Sequence, residues 1–71
     1  MAPAVIEAAF ARWYVPGLGT RETLLHAFDN GWADAKDRRG DFRRRLYAGN
    51  ARAAYLAGRA AAHRDLQEAT A

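Results

Sequence analysis

DFRRRLYAGNARAAYLAGRAAAHRDL, residues 41–66, admits one kind of secondary structure only. Alanine occupies positions 51, 53, 54, 57, 60, 61 and 62, the residue that loses least on entering a helix. Nothing in the stretch alternates apolar and polar over a strand's length. As helix, Arg45, Arg52 and Arg59 recur every seven residues and share a side, with charges about 10 Å apart. Arg38 precedes them by seven residues, and His63 follows Arg59 by one turn. The opposite side is expected to carry Leu46, Tyr55, Gly58, Ala62 and Leu66 against a core. Gly49 and Asn50 interrupt the pattern: Asn50 caps a fresh helix from Ala51, or one helix runs over 42–68 with a bend.

Upstream, Gly40 is the expected C′ residue closing a preceding helix over about 21–38, after Arg38 and Arg39 at the negative end of its dipole. Leu24, Leu25, Phe28, Trp32 and Ala35 form its apolar stripe, and Asp29, Asn30, Asp34, Lys36 and Asp37 are expected to face water. Thr20 stands at its N-cap, with Glu22 in the first turn. Gly31 costs such a helix about 1 kcal/mol relative to Ala, which points to the close approach of another helix. Pro16, Gly17 and Gly19 make a turn. Before it, Val5, Ile6, Ala9, Phe10 and Trp13 recur at three- and four-residue intervals, a short amphipathic helix over about 4–15.

An internal echo links the two longer helices. Ala27, Phe28, Gly31, Ala33, Ala35 and Lys36 repeat as Ala54, Tyr55, Gly58, Ala60, Ala62 and His63. In each, an aromatic, a glycine three residues on and an alanine four further lie on one side of a helix. Phe28, Gly31, Trp32, Tyr55, Gly58 and Ala62 are therefore the expected helix-packing residues, with the glycines letting two antiparallel backbones approach. The expected fold is all-α: one small domain over 1–71, a three- or four-helix assembly with an antiparallel helical hairpin, complete in itself or completed by dimerisation. A 71-residue chain buries only about 60% of its unfolded surface, and with no cysteine it has no disulfide to help.

Charge is distributed unevenly. Residues 38–64 carry eight arginines against Asp41, a net +7 within a chain of +3. Ten of the eleven basic residues are arginine, whose planar fork pairs bidentately with phosphate or carboxylate. The candidate binding residues are Arg38, Arg39, Arg43, Arg44, Arg45, Arg52, Arg59 and His63. His26 and His63 lack companions at ligand spacing, Thr20 and Thr23 lack a nearby base, and Gly17 and Gly19 lack the strand and lysine of a phosphate loop. No enzyme activity, metal or cofactor is expected. No apolar run reaches the length of a membrane span and no export signal opens the chain, so a cytoplasmic setting is the expectation.

Ala27, Gly31 and Trp32 in the earlier helix and Tyr55, Leu56 and Gly58 in the later one resemble the ribosome modulation factor family, small bacterial proteins of two helices joined by a short connection. The resemblance covers about residues 22–65. Arg43–Tyr47 stand where that family carries a Cys-Pro-aromatic element, and the first helix has no counterpart. It implies binding to ribosomal RNA and ribosomal proteins during slow growth. The arginine-rich stretch gives RNA a cationic footprint, and Trp32, Tyr47 and Tyr55 are aromatic surfaces for base stacking or else core. The alternative is a protein-interaction module, such as a phage-encoded inhibitor that dimerises and meets an acidic protein surface, with Trp13, Tyr14 and Trp32 as anchors. A helix-turn-helix reader of DNA would place its turn at 38–41 and its recognition helix at 42–48.

Overall fold

A computed structural model describes residues 2–70, Thr70 by its backbone alone. Within them the chain is all-α, with α1 over Ala4–Trp13, α2 over Arg21–Lys36, a five-residue 3-10 turn over Phe42–Leu46, and α3 over Gly49–Thr70. α2 and α3 pack together along much of their length, and α1 lies across both.

The ends of the helices follow from local chemistry. Pro16 excludes the helical conformation for Val15, and α1 stops earlier than expected: Tyr14 is already extended, its N–H donating to Phe10 O at 2.8 Å. Thr20 occupies the N-cap position of α2 but makes no side-chain capping bond. At the far end Gly40 is not the reversing residue. Arg38 is, at φ 59°, with Arg38 N–H donating to Ala35 O (3.1 Å) and Arg39 N–H to Asp34 O (2.7 Å). This is the Schellman pattern of paired bonds, built with an arginine where glycine is usual. The interruption expected near Gly49 is a true break: Tyr47 is extended after the 3-10 turn, and α3 starts afresh at Gly49, φ 56°. Asn50 does not cap it; its amide donates to Leu18 O at 2.6 Å.

That bond also sets direction. Asn50, in the first turn of α3, touches the residue just ahead of α2, and Lys36, at the end of α2, pairs with Asp65 near the end of α3. Like ends meet, so α2 and α3 run side by side in the same sense rather than antiparallel as expected. The connection 37–48 must travel back along α2, and it does: Arg43 bonds Asp34 and Asn30 O, and Tyr47 bonds Asn30.

The pair is as close as backbones permit. A Cβ on Gly31 would lie 2.9 Å from Tyr55 C and 3.1 Å from Arg59 N, with Tyr55 O nearer still. A Cβ on Gly58 would lie 2.8 Å from Phe28 C and 3.1 Å from its Cα, with Phe28 O nearer still. The 27-residue offset that relates Phe28 to Tyr55 and Gly31 to Gly58 thus exchanges the two contacts, which is what a local two-fold relation between the helices produces. Around this crossing lie Phe28, Trp32, Tyr55 and Ala62, all buried, with Ala27, Ala54 and Ala61 filling the small spaces. α1 adds Ile6 and Phe10, the latter edge-on to Phe28 at 5.4 Å between ring centroids. Leu46 and Leu66, expected on the core side, are exposed instead, Leu46 because it belongs to the 3-10 turn.

Candidate binding surface

α2 places one carboxylate where the sequence suggests solvent. Asp34 lies three residues after Gly31 and seven after Ala27, on the face that meets α3, and it is fully buried. Burial of a lone carboxylate is costly, and every need of this one is met. Arg43 approaches as a fork, Nε at 2.8 Å and Nη2 at 2.6 Å, and the Tyr55 hydroxyl donates at 2.6 Å. Arg43 holds the Asp34 carboxyl below its ordinary range, outweighing burial, which acts the other way. Asp34 in turn raises Arg43, while burial, followed by the bond to Asp34, raises the Tyr55 phenol. Tyr47 stacks on Tyr55 at 5.6 Å and receives a bond from Asn30 Nδ2 at 2.6 Å. The triad therefore joins α2, the connection and α3, and no buried side-chain polar atom among the described residues lacks a partner.

The structure gives the eight cationic candidates unequal roles: Arg38, Arg39, Arg43, Arg44 and Arg45 lie on the connection, and Arg52, Arg59 and His63 are spaced along α3. Arg43 is the one consumed internally. Arg45, Arg52 and Arg59 do not form one helical stripe, because Arg45 is on the 3-10 turn and the other two are on α3. Arg52 Nε donates to Tyr47 O (3.0 Å), and Arg59 Nη1 to Arg39 O (2.9 Å) and Gly40 O (3.4 Å). Carbonyl acceptors position a guanidinium without cancelling its charge, so both remain cationic. Arg39 stands 3.8 Å from Asp34 and 3.9 Å from Asp37, and Arg44 stands 3.7 Å from Asp41. Asp34 is buried and already held by Arg43, and the other two pairs are long and join exposed groups, so they are worth little and yield readily to a better partner. Arg38 and Arg45 are exposed and meet no carboxylate among the described residues. His63 is exposed on α3, further along the same helix.

Phe42, to which periodicity assigned no role, and Leu46, expected on the core side, complete the surface. Phe42 is 58% exposed and Leu46 69%. In a 3-10 turn residues three apart stand above one another, so Phe42 and Arg45 share an edge. With Asp41 and Arg44 they border a shallow hollow of about 210 Å³. Of the aromatics considered for stacking, Trp32 and Tyr55 are buried and Tyr47 is half-buried against Tyr55; Phe42 is the one that stands open. What could have flagged Asp34 was its register with Ala27 and Gly31. Nothing in the sequence pattern distinguished Phe42 from a core residue.

The arrangement presents charge and one flat apolar ring. Among the described residues no three His, Asp or Glu side chains gather to hold a metal ion, and no helix is long and apolar enough to cross a membrane. No protein-family model, curated protein or solved structure matches the chain.

Proposed function

We propose that this protein is a small non-enzymatic regulatory factor that binds RNA, in a ribosomal and cytoplasmic setting as its resemblance to the ribosome modulation factor family implies, through the connection between α2 and α3. One observation carries the reading: Arg38, Arg39, Arg44 and Arg45 are all exposed on the connection, Arg44 and Arg45 bordering the hollow beside the open ring of Phe42, while the buried carboxylate of Asp34 is already satisfied by Arg43. Four guanidiniums can engage phosphates, each contact releasing condensed counterions. The phenyl ring offers a stacking face to an unpaired base. Arg52 and Arg59 add positive potential behind that edge. The test is anisotropy of a labelled ribosomal RNA fragment titrated with protein at several salt concentrations. For four contacts to unpaired strand, log K should fall with log salt at a slope of about −3; absence of binding at low salt removes the proposal.

An acidic protein surface is the second reading, and Leu46 favours it, since a large exposed aliphatic beside arginines suits a protein interface better than a phosphate backbone. Nuclease separates the two. A complex captured from native lysate that survives nuclease belongs to the protein reading, and one that dissolves belongs to RNA.

A further inference from the structure

The connection holds a carboxylate that phosphate binding does not explain. Asp41 is the one acid between residues 38 and 64, among eight arginines. It stands at the N-cap position of the 3-10 turn, and its side chain makes no capping bond there. Its one ionic partner among the described residues is Arg44, 3.7 Å away, with both side chains more than half exposed. Such a pair contributes little to stability. Beside a phosphate backbone the Asp41 charge is repelled, so a purely electrostatic footprint would be stronger without it.

The surroundings of Asp41 supply the rest of a base reader. Asp41, Phe42, Arg44 and Arg45 border the hollow of about 210 Å³. The exposed ring of Phe42 gives a stacking face, and the two guanidiniums give donors for the phosphates that flank a stacked nucleotide. The carboxylate is left for the base edge. Ionised, it accepts only, through two oxygens. Guanine alone among the RNA bases sets two donors side by side on its Watson–Crick edge, the hydrogen on N1 and the amino group on C2. Adenine and cytosine each place an amino group beside a ring nitrogen that accepts, and uracil places its N3 hydrogen between two carbonyl oxygens. Each of those three would turn a lone pair toward the carboxylate, leaving a polar group unpaired.

We infer that the hollow selects an unpaired guanine, stacked on Phe42 and read on its Watson–Crick edge by Asp41. The inference rests on the RNA reading above and adds a base preference that the arginines cannot give, since phosphate contacts carry no sequence information. Its test is anisotropy at low salt on labelled short uridine oligomers that differ only in a central guanosine, inosine, adenosine, cytidine or uridine, with the ribosomal RNA fragment alongside. The guanosine oligomer should bind about tenfold more tightly than the adenosine, cytidine and uridine ones, the low end for a bidentate pair. Inosine, which keeps the N1 hydrogen and lacks the amino group, should fall between. Asp41→Asn should erase the guanosine preference and tighten binding of the all-uridine oligomer, with unchanged far-ultraviolet circular dichroism. An Asp41 that merely repels phosphate would leave the ratio between oligomers as in wild type, and that result overturns the inference. Binding of the fragment with no guanosine preference among the oligomers also overturns it, while the RNA reading stands. Binding of neither fragment nor oligomers removes both.

Discussion

Replacing Gly31 with alanine should destabilise this protein, although the same change on a free helix face stabilises. The helix itself gains about 1 kcal/mol when glycine becomes alanine. Against that, the new methyl would lie 2.9 Å from Tyr55 C and 3.1 Å from Arg59 N, nearer still to Tyr55 O, and all three atoms are backbone. A flexible side chain could swing aside; a helix cannot. The two helices must separate, loosening Phe28, Trp32 and Ala62 around the crossing. Overpacking costs about 1–3 kcal/mol where side chains can adjust, so a rigid obstacle belongs at or beyond the upper end, and the net loss is about 2 kcal/mol. For a domain this small that lowers Tm by on the order of 10 °C. Gly58→Ala should behave alike, since Phe28 O occupies the corresponding place. The double variant should lose less than the two losses together, because once the helices have parted the second methyl meets less resistance. Urea denaturation followed by circular dichroism measures all three. A Gly31→Ala protein as stable as wild type, or more so, would refute the close crossing and with it the physical meaning of the internal repeat.

Arg38→Gly should stabilise by about 0.5–1 kcal/mol in the same urea experiment, because the left-handed conformation at φ 59° costs arginine about 1–2 kcal/mol and glycine almost nothing, less glycine's greater entropy loss. Asp34→Ala should cost about 3 kcal/mol, since it strands the Arg43 guanidinium and the Tyr55 hydroxyl against a buried face. The Asp34 carboxyl is depressed on folding, so its stabilisation is complete above the unfolded value of about 3.9 and drains away as pH falls through the folded value. The urea midpoint of wild type should therefore drop below about pH 4, with Asp34→Asn lacking that share of the dependence. Phe42→Ala should weaken RNA binding about tenfold, within the range of one base–aromatic stack, while leaving the salt slope unchanged; Arg45→Glu should flatten the slope.

Helix content and the glycine crossing are legible in the sequence because both depend on neighbours along one helix. Alanine runs, the three-and-four spacing of aromatics and the repeated glycine all report on a single face. The sense in which the two helices run is not legible from the same evidence. A two-fold relation that swaps Phe28–Gly31 with Tyr55–Gly58 is compatible with parallel and with antiparallel pairing. What settles it is tertiary contact, Asn50 on Leu18 and Lys36 on Asp65, and the connection permits it: residues 37–48 can span up to roughly 40 Å, ample to return along α2, which is about 24 Å long. Asp34 shows a second limit. An acid at a core register usually signals that the helix face has ended, whereas here a cation nine residues later folds back to meet it, a tertiary event that no periodicity encodes. At that position the repeat itself departs from pattern, with Ala61 standing 27 residues on.

The returning connection also explains why the arginines are displayed at all. Had α3 run back along α2, a few residues would have sufficed to join them and most of the arginines would have entered a helix. Because α3 starts again at the head of α2, the chain must cross the outside of the pair, and Asp34 pins it midway through Arg43. In a turn of three residues per revolution, drawing one side chain inward leaves its neighbours to project elsewhere, and Phe42, Arg44 and Arg45 are all exposed. Asp34 is then a positioning residue for the surface as well as a structural one. Lysine in place of Arg43 separates the two roles: it keeps the charge but cannot hold both carboxylate oxygens. Arg43→Lys should therefore keep its helical circular dichroism while losing RNA affinity and the protection of the Phe42–Leu46 amides from hydrogen exchange. Unchanged protection with weakened binding would instead mean that Arg43 contacts the ligand itself.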